Sequence, residues 1–167
     1  TIPNRPHEPG LPPPEEAGQL RRARDRLLPA RQQRIPPARD DKLLGVPVKL
    51  CAPEEMIWMK AYIMERERFD GADIAHILRC CAVEIDWPHL VRRFGSDWRV
   101  LLSHLILFGY IYPGERARIP ASIMEDLITR LGTEARTAGP ERLCRGTLLS
   151  REQYLVDVQE WGFRDAR

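Results

Sequence analysis

Lys60 sits where packing alone would not put a charge. From Met56 to Met64 eight of the nine side chains are apolar or aromatic, and Lys60 is the exception. Helical spacing places Ile57, Ala61 and Met64 in one stripe with Lys60 beside it. An ammonium there either runs its stem along the apolar surface to reach water, or it enters a polar cleft and binds an anion. Glu65, Arg66, Glu67 and Arg68 follow at once, then Asp70 and Asp73. So dense a run of both signs suits a solvated, ion-paired helix end. It equally suits a polyphosphate held by Lys60 and an arginine, with Asp73 orienting one of them. An arginine fork matches phosphate oxygens and a lysine acts as a point charge.

The other chemistry-bearing residues are less pointed. The cysteines are Cys51, Cys80, Cys81 and Cys144, none in a C-x-x-C pair, and the reading is of buried thiols. Asp73, His76 and Cys80 share one helix face. A zinc ion would need further ligands, for which His89 or His104 would have to converge. Packing and hydrogen bonding account for these residues without a metal, and no metal site is assigned.

The elements that must carry these residues are helical. "VPVKL" at 46–50 alternates apolar and polar and reads as a short strand or extended lead-in, at an edge because of Pro47. No second convincing strand accompanies it. Pro53 suits a first helical turn, and Glu54 and Glu55 oppose the dipole there. That helix is predicted to run to about Arg68. Asp70 is the predicted N-cap of "GADIAHILRCCA" and Asp86 that of "WPHLVRRF", which Gly95 ends. Ser96 is the predicted cap of "DWRVLLSHLILFGY", and residues 111–118 read as a loop. "ASIMEDLITRLG" follows Pro120 and stops at Gly132, residues 133–146 read as a loop, and Ser150 with Gln153 forms a capping box for "REQYLVDVQEW". The fold class is all-α: a compact bundle of five to six short helices, with one possible strand.

Composition divides the chain. Its 167 residues carry 26 Lys+Arg and 24 Asp+Glu, a net charge of +2, so there is no bulk pull toward nucleic acid or an anionic membrane. Apolar stretches reach about ten residues, short of the ~20 a membrane span needs, and no leader pattern is seen. A cytoplasmic protein is expected. Residues 1–39 hold 9 of the 15 prolines, no aromatic residue, and eight arginines against four acids. Such a segment cannot bury enough apolar surface to order itself, apart from a short helical turn near residues 20–28. Arginine outnumbers lysine 23 to 3 and the first methionine is Met56. Residues 1–39 therefore read either as an out-of-frame or truncated remnant or as a disordered basic arm. The expected organisation is a disordered 1–39, an extended lead-in at 40–52, a helical domain at 53–132, and a loop with a C-terminal helix at 133–167.

Residues 40–167 resemble, in order and nearly without gaps, the C-terminal helical region of a family of bacterial nucleotidyltransferase-like proteins. The matching run is Pro53-Glu54-Glu55, Lys60, Glu65 to Arg68, Asp70 to Asp73, His76, Asp86-Trp87, Arg93-Phe94-Gly95, Trp98 and Leu101 to Pro113, with the tail "CRGTLLSREQYLVDVQEWGFRDAR". More loosely, the Lys-helix-Asp arrangement is similar to the helical half of abortive-infection toxin nucleotidyltransferases. The resemblance implies Lys60, Arg68, Asp70 and Asp73 as nucleotide-binding residues, and Mg²⁺ with a nucleoside triphosphate for the full-length family. It also implies an N-terminal α/β domain with a Gly-Ser turn and two metal-holding carboxylates, which neither the Pro/Arg-rich front nor the helical part supplies. Gly95-Ser96 lacks a following acid pair. Gly71-Ala72 before Glu84-Ile85-Asp86 has a rough spacing but sits in helical sequence. No catalytic residue and no cofactor are therefore assigned to this chain.

Three functions compete. The first is the helical portion of a nucleotidyltransferase, inactive alone. The second is a non-enzymatic helical protein-binding module, whose apolar face meets the missing domain or a second copy. The third is nucleic-acid binding through the front segment, disfavoured because that segment has no ring for base stacking and the body is slightly acidic.

Overall fold

The computed structural model describes residues 38–137, 139 and 142–167. The disorder expected of residues 1–37, with the helical turn near 20–28, lies outside the described residues, as does part of the loop expected at 133–146. Among the described residues six α-helices dominate, accompanied by two small two-stranded sheets rather than one stray strand.

The lead-in is a hairpin. β1 (Arg39–Leu43) pairs antiparallel with β2 (Val46–Leu50), in a register that sets Leu43 against Val46 and Arg39 against Leu50. The missing partner of β2 was the charged segment immediately before it. Leu44 and Gly45 turn the chain with φ of 51° and 82°, the doubly left-handed turn that matches strand twist. Glycine adopts that conformation freely, which makes Leu-Gly workable. The boundary expected between Arg39 and Asp40 falls at the first residue of this strand.

α1 spans Pro53–Ala61, α2 Gly71–Cys81, α3 Trp87–Phe94, α4 Trp98–Ile111, α5 Ala121–Glu134 and α6 Arg151–Gln159. α1 stops at Ala61, not near Arg68, because the chain reverses. Met64 pairs with Phe69, and Glu65 and Arg68 exchange backbone hydrogen bonds across a tight turn. α3 begins and ends as its sequence predicts: the Asp86 carboxylate accepts from the His89 N–H, and Gly95 closes it with φ of 52°. Three other predicted caps differ. Asp97, not Ser96, holds the N-cap position of α4, after a 3₁₀ turn over Gly95–Asp97. Asp70 and Ser150 hold their N-cap positions without a side-chain cap bond. The expected loop at 111–118 is largely a 3₁₀ helix, Pro113–Arg118.

α5 runs through Gly132 to Glu134. An interior glycine costs a helix only about 1 kcal/mol. Here the Thr133 hydroxyl donates to the Thr129 carbonyl, and Arg99 on α4 pairs with Glu134. Beyond α5, β3 (Leu143–Cys144) and β4 (Arg164–Asp165) pair in parallel. Asp165 joins the ends of this segment, accepting from the Thr147 hydroxyl at 2.6 Å and from Arg167 at 2.9 Å.

The core is shared by all five helices α1 to α5, around Ile57, Leu78, Leu90, Phe94, Leu101, Leu105, Phe108 and Leu127. Two charges are buried in it. Arg93 on α3 donates through Nε to both carboxylate oxygens of Glu55 on α1 at 3.0 Å, with each side chain 1% exposed. The guanidinium also lies 3.8 Å from the Trp58 ring centroid. Glu54 is buried too and accepts from the Asp86 N–H. These acids do more than oppose a dipole: they bolt α1 to α3. By contrast Cys51 and Cys80 are exposed and Cys81 and Cys144 half-buried, so the thiols are not core residues.

Removing one partner of a buried pair strands the other charge, whereas replacing both by apolar groups does not. Glu55→Leu alone is expected to lower the unfolding free energy by about 3–5 kcal/mol. Glu55→Leu with Arg93→Met should recover most of that loss. Urea denaturation of the two variants against the parent checks both outcomes.

Candidate functional site

The turn between α1 and α2 gathers all four residues singled out from the sequence. Lys60 is in the last turn of α1, and Asp70 and Asp73 flank the start of α2. The Asp70 N–H donates to the Ile63 carbonyl at 3.2 Å, which folds the second helix back against the first. Lys60 Nζ then lies 3.0 Å from Asp70 Oδ2 and 2.7 Å from Asp73 Oδ2. Arg68 donates to Asp70 as a fork, Nε to Oδ1 and Nη2 to Oδ2, both at 3.0 Å. Asp70 is thus withdrawn from capping α2 because both its oxygens serve cations.

The electrostatics follow from this geometry. Arg68, and after it Lys60, hold the Asp70 carboxyl down at about 2 against an ordinary 3.8. Asp73 and then Asp70 raise Lys60 above its ordinary value, and Asp70 raises Arg68. Lys60 neither snorkels free nor stands open to an anion. Its side chain is 22% exposed, with the ammonium between two acids. Two cations and two carboxylates make a neutral set, so a phosphate group would have to exchange with Asp70 or Asp73 for its contacts.

The same geometry tests the site for a divalent cation. Asp70 and Asp73 do converge, but on the Lys60 ammonium, which takes the place between them. Among the described residues no group of three or more His, Cys, Asp or Glu gathers to hold a metal ion. The quartet does not fit Mg²⁺. His76 and Cys80 share the exposed face of α2, while His89 stands 3.6 Å from Glu55 and His104 is buried elsewhere.

His104 is a residue that helical periodicity alone left unassigned. It is 3% exposed, and its Nε2 hydrogen-bonds the Ala61 carbonyl at 3.1 Å, at the end of α1. Phe69, from the turn that carries Arg68, stacks on it with ring centroids 6.1 Å apart. The Phe69 ring lies over Gly71, where a Cβ would come within 2.1 Å of it. The glycine of "FDGAD" lets the Phe69 ring lie flat there, and a larger residue would push that half-exposed ring aside. Asp97 is a second unassigned hub, accepting from the Tyr62 hydroxyl at 3.0 Å and from Arg145 at 2.7 Å. Asp97, Tyr62 and Arg145 line a cleft of about 990 Å³, with Trp98, Arg99, Glu134 and Tyr154. Its two arginines are each paired to an acid, Arg145 to Asp97 and Arg99 to Glu134.

No family model, no curated protein and no solved structure matches this chain. Among the described residues no helix is long and apolar enough to cross a membrane.

Two groups give stability opposite ends of its acid dependence. Burial pushes the His104 pKa below its ordinary 6.5, so the unfolded chain takes up a proton that the folded one refuses. Its contribution is full above pH 6.5 and declines as pH falls below that value. The Asp70 carboxyl is depressed from 3.8 to about 2, so its contribution is full above pH 3.8 and declines as pH falls toward 2. Urea unfolding from pH 8 to 3 is expected to show both declines. His104→Gln should flatten the upper one and leave the lower one in place.

Proposed function

We propose that residues 40–167 are the helical portion of a nucleotidyltransferase-like protein, acting in nucleotidyl transfer from a nucleoside triphosphate. The metal-holding carboxylates would come from a separate α/β domain, because the quartet at the turn has no room for Mg²⁺. The observation that carries this reading is the ordered run from Pro53 to Pro113. The gathering of its charged members, Lys60, Arg68, Asp70 and Asp73, around one turn supports it. In this reading Lys60 exchanges Asp73, the more exposed acid, for a phosphate when nucleotide arrives, while Arg68 stays on Asp70 beside it.

A second reading is a non-enzymatic helical binding module. It is favoured by large apolar side chains left exposed on several elements, among them Leu44, Ile106, Tyr110, Ile128 and Trp161. Its partner would be the α/β domain or a second copy, and self-association with dye binding would follow from such a surface.

Labelled nucleoside triphosphates with Mg²⁺ and this chain alone are expected to give no transfer. Fluorescent ATP analogue is expected to bind, to weaken at least tenfold with Lys60→Met, roughly the loss of one charge-assisted contact, and to be unchanged with Lys49→Met. Binding indifferent to Lys60→Met, or none at all, leaves the binding-module reading. Transfer by the chain alone overturns the separation of metal site from helices.

A further inference from the structure

An apolar groove of about 420 Å³ lies between α4, the 3₁₀ helix and α5, away from the turn that carries Lys60. Its floor is Leu105 and Ile119, both buried, and its walls are Ile106, Tyr110 and Met124. One charged side chain lines it, Arg116. The Arg116 Nε donates to the Gly109 carbonyl at 2.9 Å, which ties this exposed side chain to the last turn of α4 beside the groove. Its neighbours are neutralised, since Arg79 and Arg118 share Glu115. Arg116 has no acid partner among the described residues, and both its Nη atoms are uncommitted there.

An arginine at the rim of an aliphatic trough suits an amphiphilic anion. We propose that this groove binds an aliphatic carboxylate of medium chain length, with the chain on Leu105, Ile106, Ile119 and Met124 and the carboxylate on the Arg116 Nη atoms. The volume falls in the range of small-ligand pockets. The apolar walls supply affinity in proportion to buried methylenes, and the fork supplies the preference for a carboxylate over an alcohol or an ammonium. This inference stands independently of the nucleotidyl-transfer reading.

The test is a heteronuclear NMR titration of the full chain with decanoate, decanol and decyltrimethylammonium. Decanoate is expected to saturate, with shifts centred on Leu105, Ile106, Gly109 and Tyr110, and to bind roughly tenfold tighter than decanol. Octanoate and hexanoate should weaken by about three- to fourfold per methylene removed. Arg116→Gln should abolish the carboxylate preference while leaving decanol binding unchanged, and Arg118→Gln should leave both unchanged. Equal binding of decanoate and decanol, a preference that survives Arg116→Gln, or shifts centred away from this groove would overturn the proposal.

Discussion

One carboxylate held between two cations keeps the first two helices folded against each other. Asp70 stands where a capping residue would stand, yet both its oxygens face Lys60 and Arg68. Without that neutralisation, an ammonium in the apolar stretch of α1 and a carboxylate 8% exposed would each be left costly. With it, the chain reverses within a few residues, Phe69 seats on Gly71 and His104, and α2 is placed for Ile74 and Leu78 to enter the core. The exposed members of the cluster, Arg68 and Asp73, contribute less, because water screens them.

The core beyond this turn is built around polar groups that have found partners. Glu55 and Arg93 satisfy each other out of water, and Arg93 lies on the Trp58 ring. His104 stays neutral and gives its Nε2 to the end of α1. Such pairs are weak evidence of stability, since apolar residues of equal volume do as well. Their effect is on geometry. The Arg93 Nε shared between both Glu55 oxygens is a directional contact between α1 and α3, which aliphatic packing lacks.

The nucleotide-binding and the binding-module readings both draw on what the core leaves over. A neutral, mutually satisfied quartet favours a positioning role until something competes for its carboxylates. The exposed apolar side chains of the hairpin, α4 and α5 are surface the fold has not covered. α6 has no buried residue at all and packs chiefly on the 3₁₀ turn Gly146–Leu148, with the Tyr154 ring against Gly146.

Local signals were sufficient where a single residue decides the outcome. Pro53 opens α1, Asp86 caps α3 and Gly95 ends it, because a fixed φ, a short acceptor side chain and a positive φ act within one turn of chain. The partner of β2 was hidden because Arg39–Leu43 is charged and its pairing is a property of two segments, not one. The end of α1 was hidden because "YIMERER" is compatible with helix, and the reversal after Ala61 rests on contacts between the two arms of the turn, Met64 with Phe69 and Lys60 with Asp70 and Asp73. Likewise Glu55 reads as a dipole partner until α1 and α3 pack and Arg93 meets it out of water. Composition and spacing determined that these residues are charged and which helix each rides on. Tertiary contact alone decided which charges lose water and therefore which opposite charge each must find.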